Sequence, residues 1–569
     1  MKRAMQIAKS NVYTADFETT GKPNLDKDGE VRVFLWSLVE CETLKSWYGY
    51  SIESFLQKIV ALNVQICYFH NLKFDGFFII DYLLRHNQNF KLNAPNSNWF
   101  SLEYKNCEFR DSLKKFKMTV EGLSIFLGIE RKKDISTNGV KPWDTYLPCD
   151  YIPSLKEIEY CIHDSRIIAV AIGKEWDEGR RRLTASSEAY NNAKSKLPKF
   201  KQLFPKLSKD EDSFVRKAYK GGICAVNPKY KGVELDNIYA YDVNGLYGYV
   251  MDTAVLPYGY AYDGKPVSKD DLYVVNFFCE FKVRDWYFPM LQIKNSIHYA
   301  GRGNEFLTES NGITELTLTC IDYDLFKEHY HVYNEFGHVY KSYKAKKGIL
   351  SPIIQENIQK KAYYSKKETY DPYKRGVAKD NTNMLYGSFG LSTVADNVTP
   401  FINERGVVEM KHEKSEKDGR YIPMAVFITA NARKITLTAI QNNYDNWVYS
   451  DTDSMYLLAP AKDIPLHQEK SGHWKFETWE NCGKPFPKGK FLRQKTYCLA
   501  DENKKIYRKY DKYGDLVSEL KCAGMPADIN KTIEWDDFVL NKSMGTRLQR
   551  KVVKGGVCLL DLEYGIYDN

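Results

Sequence analysis

Trp447-Val448-Tyr449-Ser450-Asp451-Thr452-Asp453-Ser454 carries an apolar strand straight into two acidic residues, and Val12-Tyr13-Thr14-Ala15-Asp16-Phe17-Glu18 does the same near the start of the chain. Strand side chains alternate, so Asp16 and Glu18 share one face, as do Asp451 and Asp453 if the strand continues. Close carboxylates repel unless cations lie between them. A lone D-x-[DE] is also an ordinary turn or helix cap. Its recurrence at strand ends, with Ile238 to Asp242 as a third apolar strand ending in an acid, points toward divalent ions and phosphate chemistry.

The composition permits such a reading. The chain has 569 residues, room for three or four domains at roughly 150 residues each. Lys plus Arg number 82 against 73 Asp plus Glu, a net charge of +9 that suits an acidic partner without demonstrating one. With 43% hydrophobic and 27% charged residues, long disordered or fibrous architectures are excluded. The 42 Tyr either stack on bases and sugars or fill half-buried surfaces. Twelve scattered Cys show no zinc spacing, which predicts reduced thiols. No secretion signal is read at Met1 to Asn11, and no apolar run approaches the roughly eighteen residues that span a bilayer.

Val12 to Phe17 and Val64 to Phe69 read as buried strands, and Leu155 to Ile172 as a helix with Ile158, Cys161, Ile162 and Ile168 on its apolar stripe, which predicts an α/β first domain. A polar connector follows over 180–209. Eleven Lys or Arg and six Tyr fall between Tyr340 and Lys379, either a phosphate-binding surface or a solvated helical pair divided at Pro372. Thr393 to Tyr421 reads as a hairpin projecting from the body, with turns at Gly406 and Asp418-Gly419.

Three stretches, Asp16-Phe17-Glu18-Thr19, Tyr68-Phe69-His70-Asn71-Leu72-Lys73-Phe74-Asp75 and Tyr160-x-x-x-Asp164, resemble the motifs of the 3′-5′ exonuclease in family B DNA polymerases. Asp242-x-x-Gly245-Leu246-Tyr247, Lys379-x-x-x-Asn383-x-x-Tyr386-Gly387, Tyr449-x-Asp451-Thr452-Asp453-Ser454 and Lys495-x-Tyr497 resemble the polymerase motifs, in the family's order. The short chain, Tyr219-x-Gly221-Gly222 between the modules and two insertions are similar to the protein-primed polymerases of small tailed bacteriophages. The resemblance implies an α/β and α+β multidomain fold: a ribonuclease-H-like exonuclease domain (1–184), palm (185–254 and 423–524), an insertion contacting a terminal protein (255–348), fingers (349–390), a hairpin insertion for strand displacement and processivity (391–422) and thumb (525–569).

It also implies roles. Asp16, Glu18, Asp75 and Asp164 would hold two ions in the nuclease, Tyr160 would orient water, and Lys132, flanked by Arg131 and Lys133, would assist. Asn71, Ser112 and Leu113 would hold the single-stranded end. In the polymerase, Asp242, Asp453 and the Val243 carbonyl would bind two ions with Asp451 in support; Tyr247 would exclude a 2′-hydroxyl, Lys379 and Lys367 would meet phosphates, and Tyr386 and Asn383 the nascent pair. Tyr219, Gly221, Gly222, Thr429, Arg433, Lys495 and Tyr497 would contact DNA. Gly245, Gly248 and Met384 depart from the family's Ser, Pro and Ser, which bears on nucleotide affinity. The implied function is DNA-directed synthesis on a linear phage-type genome with Mg2+, or Mn2+ in its place, two ions per site. Template, primer, deoxynucleoside triphosphates and a terminal protein would be the partners of a monomeric or heterodimeric enzyme in the host bacterial cytoplasm, away from membranes. A non-catalytic nucleic-acid-binding scaffold and a nuclease-only protein are the rival readings.

Overall fold

The computed structural model describes residues 7–129, 142–292, 306–510, 516–525 and 527–567. The first seven strands are β1 (Val12–Thr19), β2 (Val33–Glu40), β3 (Ser46–Gly49), β4 (Ile66–Phe69), β5 (Lys91–Asn93), β6 (Ser101–Tyr104) and β7 (Cys107–Asp111), forming one mixed sheet in the order β3-β2-β1-β4-β7-β6-β5. β1 runs antiparallel to β2 and parallel to β4. Helices α1 (Leu72–Arg85), α2 (Val120–Leu127) and α3 (Leu155–Asp177) accompany the sheet. This is the α/β first domain expected, and α3 runs five residues past the predicted Ile172. Ser154 opens it with a capping box: its hydroxyl accepts from Glu157 N–H at 3.3 Å, and Glu157 accepts from Ser154 N–H at 2.8 Å. Thr14 Oγ1 donates to the Ser165 carbonyl and Ser37 Oγ to the Cys161 carbonyl, locking α3 over β1 and β2.

The second sheet is built from β8 (Cys224–Val226), β9 (Glu234–Val243) and later strands. Between them lies an antiparallel sheet with β10 (Leu272–Val283) flanked by β11 (Thr314–Thr319) and β12 (Tyr330–Tyr343). Helices here are α4 (Ala185–Lys196), α5 (Leu246–Thr253), α6 (Cys320–His329), α7 (Ser351–Tyr363), α8 (Pro372–Asn383) and α9 (Ile422–Asn442). Pro372 does separate α7 from α8, standing at the first turn of α8, where a missing N–H is harmless. Strands β13 (Val394–Ile402) and β14 (Val408–Glu416) form the hairpin, while β15 (Trp447–Asp451), β16 (Ser454–Leu457), β17 (Trp474–Glu477), β18 (Phe486–Arg493), β19 (Thr496–Ala500) and β20 (Leu520–Cys522) complete the second sheet, and β21 (Lys542–Val553) pairs with β22 (Gly556–Ile566). The order of the second sheet is β20-β19-β18-β9-β16-β15-β8, with β17 also on β9.

The hairpin corrects one expectation, since it does not project freely. Val398 and Val408 are buried with Phe77 and Phe78 of α1 in the first domain's core, which also takes Val553, Val557 and Cys558 from β21 and β22. At about 1.5–3 kcal/mol for each fully buried aliphatic side chain, this contact outweighs the freedom a polar hairpin would gain in water. Arg85, held bidentately by Asp81, donates to the Gly406 carbonyl at 2.6 Å in the hairpin turn. Asn403 closes that turn by accepting from Arg405 and Val407 N–H, each at 3.0 Å. The β21–β22 turn reaches the same domain, where Val31 N–H donates to the Lys554 carbonyl at 3.0 Å.

All twelve cysteines are free. Among the described residues, no helix is long and apolar enough to cross a membrane.

The β21–β22 turn has no room for error. Gly555 has φ +86°, and a Cβ there would overlap the Val31 carbonyl. Gly555→Ala should therefore detach this tip: limited trypsin digestion should cut after Arg550, Lys551 or Lys554 far sooner than in the parent, with the main melting transition little changed. Unchanged resistance would mean the tip is not held by this contact.

Candidate active site

The register of β9, β16 and β15 decides the first cluster. Asp242 pairs across with Ser454, and Ser454 with Asp451, so the turn Thr452-Asp453 stands beside Asp242. Val243 N–H donates to the Asp453 carbonyl at 2.8 Å. Thr452 has φ +64°, a left-handed backbone that a β-branched residue rarely adopts, at a cost of about 1–3 kcal/mol. The loop before β8 holds it there. Ile223 accepts from Thr452 N–H at 2.6 Å, and Gly222 lies so close that a Cβ would sit 2.7 Å from Thr452 Cγ2. Gly222 and Ile223 thus brace the acidic turn, and of the two glycines in Tyr219-x-Gly221-Gly222 Gly221 is the exposed and uncrowded one.

Burial, then the facing Asp453, then Glu477 push the Asp242 carboxyl up to about 7, with Lys475 opposing. Burial also raises Asp453, which its own backbone N–H and Lys495 moderate and Asp451 reinforces. Asp451 is answered by Lys495, whose Nζ lies 2.6 Å from Oδ1. Two facing carboxylates lifted in this way form an oxygen-only donor set, which fits a hard divalent cation.

Tyr247 on α5 stacks on Tyr386, ring centroids 4.0 Å apart at 15°. Both hydroxyls are raised chiefly by burial. Gly245 caps α5 with φ +59°, where a serine would be strained, and the Ser471 hydroxyl lies 3.8 Å from the place its Cβ would take. Gly248 lets α8 approach, since a Cβ there would be 3.0 Å from Thr382 Cγ2. Lys379 and Asn383 are exposed on α8, and Lys367 is exposed in the turn before it. Met384 Sδ receives Lys117 Nζ at 3.7 Å.

The second cluster stands at the end of β1. Ligand atoms of Asp16, Glu18 and Cys161 lie within 4.8 Å of one another. Burial raises Glu18 well above the usual carboxylate range, and Asp16, Asp164, Asp75 and Glu157 raise it further; burial and Asp16 do the same to Asp75, which Arg550 from β21 opposes. All four expected carboxylates therefore converge, with Tyr160 one turn before Asp164 on α3.

Other expected contacts land elsewhere. Ser112 is fully buried, its Oγ 3.0 Å from the Phe69 carbonyl and 3.0 Å from His70 Nδ1, so it positions the loop and does not face a ligand. Asn71 and Leu113 remain accessible. Thr429 is buried against the Val426 carbonyl. Arg433 is 3% exposed and grips Asp322 bidentately at 3.0 and 2.6 Å while donating to the Lys220 and Gly221 carbonyls. Its guanidinium supports the glycine loop and has no free face for DNA. Tyr497 points inward, accepting from the Tyr456 hydroxyl at 2.7 Å, while Lys495 stays half-exposed. Lys132 lies outside the described residues.

Sequence reasoning missed Asp111, whose Oδ1 accepts from both Asn71 and Leu113 N–H at 2.9 Å. Its place at the end of β7, just before Ser112-Leu113, was a usable signal. It read Cys161 only as part of the apolar stripe of α3, and it missed Asp322 and Arg550, whose partners are remote in sequence.

The description DNA polymerase type B, organellar and viral, matches residues 153–462. The chain belongs to that family. It is a DNA-directed DNA polymerase, and divalent metal use comes with the family. This type B polymerase is 33% identical to the DNA polymerase of Bacillus phage phi29 over 98% of the chain and 99% of the relative, and 27% identical to that of Streptococcus phage Cp-1 over 97% and 98%. Phi29 DNA polymerase with primer-template DNA and incoming nucleotide superimposes with TM-score 0.83 at 32% identity, and its orthorhombic crystal form with TM-score 0.85 at 32%, each covering 98% of this chain and 99% of that one.

The raised Asp242 carboxyl sets a pH dependence. Its folded value, about 7, exceeds the ordinary carboxylate value, so the metal-free fold is favoured by protonation and loses stability as pH climbs from about 4 through 7. Asp242→Asn cannot ionise and should escape that loss. In EDTA its melting temperature should exceed the parent's at pH 8, reflecting roughly 2 kcal/mol, and the gap should close near pH 4.5. An equal gap at both pH values would contradict the shift.

Proposed function

We propose that this polymerase copies a linear phage-type genome from a protein primer, proofreads with a 3′-5′ exonuclease and displaces the non-template strand in the host cytoplasm. The observation that carries the two-activity reading is the pair of buried carboxylate clusters, one at Asp16, Glu18, Asp75 and Asp164, the other at Asp242 and Asp453. These carboxylates would hold two Mg2+ ions per cluster, or Mn2+ in their place, which would supply positive charge toward a hydroxyl or water and the phosphate.

The protein's own groups do the rest. Lys379 and Lys367 meet the triphosphate as mobile point charges, and Tyr247 lies under the sugar where a 2′-hydroxyl would clash. Tyr386 carries the nascent pair with Asn383 beside it. Lys495 exchanges Asp451 for the primer phosphate, and Gly221 offers the one uncrowded backbone of its loop to the strand. In the nuclease, Asn71 and Leu113 hold the frayed end and Tyr160 orders the water. The spans 1–184 for nuclease and 185–254 with 423–524 for palm are supported by the strands of the first sheet falling within the one and those of the second within the other.

Terminal-protein contact at 255–348 is supported by Tyr333, Phe336 and Val339, large side chains about half exposed on β12. Strand displacement by 391–422 is supported by the approach of the hairpin and β21–β22 tips, Gly406 beside Lys554, on one side of the first domain.

Separable sites test the reading. Asp16→Ala/Asp164→Ala should degrade single-stranded DNA about 10³-fold more slowly yet extend a primer normally, and Asp453→Ala should do the reverse. Normal extension by Asp453→Ala, or loss of both activities by a variant folded by circular dichroism, would sink the assignment.

A further inference from the structure

One buried ion cluster joins the first domain to α8. Lys115 Nζ lies 2.7 Å from Glu175 Oε2 and 3.2 Å from Glu188 Oε1, and donates to the Arg180 carbonyl at 3.0 Å. Arg180 Nε donates to Glu175 Oε1 at 2.8 Å, and the Tyr373 hydroxyl donates to the same oxygen at 2.8 Å. Arg180 Nη1 also reaches Asn381 Oδ1 at 3.4 Å. The side chains of Lys115 and Glu175 are 1% and 2% exposed. Two cations balance two carboxylates, which is what allows charge to be buried there. Burial alone would lift the Glu175 carboxyl, but Lys115 and Arg180 hold it below its ordinary value, so it accepts as an anion.

Four members of the cluster belong to the first domain and its connector. Tyr373 and Asn381 belong to α8, eight residues or about two turns apart. Tyr373 is buried in the first domain's core against Phe126, and Gly376 lets the helix lie close, since a Cβ there would be 3.2 Å from the Phe126 ring. Lys379 and Asn383 fall on the other side of α8 and are exposed. Packing alone lets a short helix roll. The Tyr373 hydroxyl donating to the buried Glu175 anion at one end, seconded by the longer bond that Arg180 donates to the Asn381 amide oxygen at the other, fixes the roll, because a hydrogen bond with a charged partner is the stronger kind.

We propose that Glu175 and Tyr373 are positioning residues for nucleotide incorporation: the buried cluster clamps α8 to the nuclease domain and sets where Lys379 and Asn383 meet the incoming nucleotide. This rests on the reading of α8 as the nucleotide-binding helix. Tyr373→Phe keeps the ring and removes only the bond to Glu175.

In single-nucleotide incorporation with Mg2+, Tyr373→Phe should raise KM for the deoxynucleotide about fivefold, leave kcat within about twofold, and leave single-stranded DNA degradation unchanged. Asn381→Leu should act in the same direction. In a Lys379→Ala background Tyr373→Phe should raise KM by clearly less than it does in the parent, a non-additivity that general loosening of the fold would not produce. If Lys379→Ala raises KM while Tyr373→Phe and Asn381→Leu do not, or if the Tyr373→Phe effect persists in full without Lys379, the positioning role is refuted alone. If Lys379→Ala leaves KM unchanged, the reading of α8 falls and takes this role with it.

Discussion

Like-charge repulsion between carboxylates fixed in place by β-sheet register is the constraint on which the rest of this polymerase depends. Asp242 and Asp453 cannot drift apart, because Asp242 is paired to Ser454 and the Val243 N–H is bonded to the Asp453 carbonyl. A slip of one residue would turn Asp242 to the opposite face. The protein therefore holds an electrostatically unfavourable pair in a half-buried cleft, and a divalent cation is what relieves it. Thr452 in a left-handed conformation, Gly222 pressed on it and Arg433 gripping the loop carbonyls are all means of keeping that turn from relaxing.

The first domain's cluster uses the same constraint on a different scaffold. There one strand supplies Asp16 and Glu18, while α1 and α3 bring Asp75 and Asp164 from either side. Because α3 is bonded to β1 and β2 through Thr14 and Ser37, the convergence is rigid before any ion arrives. Three distant segments then converge on this domain: the hairpin turn at Gly406, the β21–β22 turn at Gly555, and α8 through Tyr373. The first domain is thus a platform for elements of the polymerase as well as the seat of this carboxylate cluster.

Strands that run from apolar residues into acids were legible in the sequence, since β1, β9 and β15 each repeat the local pattern of a buried strand with a polar end. So were α3, from its stripe, and the break at Pro372. The hairpin was legible as a hairpin, but its docking was not: Val398 and Val408 look like ordinary alternation, and their partners lie some three hundred residues earlier. Arg433 and Tyr497 failed for a related reason. A motif gives a residue type and a spacing, whereas burial depends on what another segment offers, here Asp322 for the arginine and Tyr456 for the phenol. Lys115, Glu175, Arg180 and Glu188 share no local pattern, and only the fold brings them together.

Localised hydroxyl-radical cleavage with Fe2+ in place of Mg2+ tests the central claim most directly, because radicals cut the backbone only beside the bound metal. Cuts should cluster at residues near 16–18, 75 and 164 and separately near 242–245 and 451–454, compete away with Mg2+, and, in Asp453→Ala, vanish from the second set alone. Cuts missing from 242–245 and 451–454 in the parent, or persisting there unchanged in Asp453→Ala, would contradict divalent metal held by this strand register.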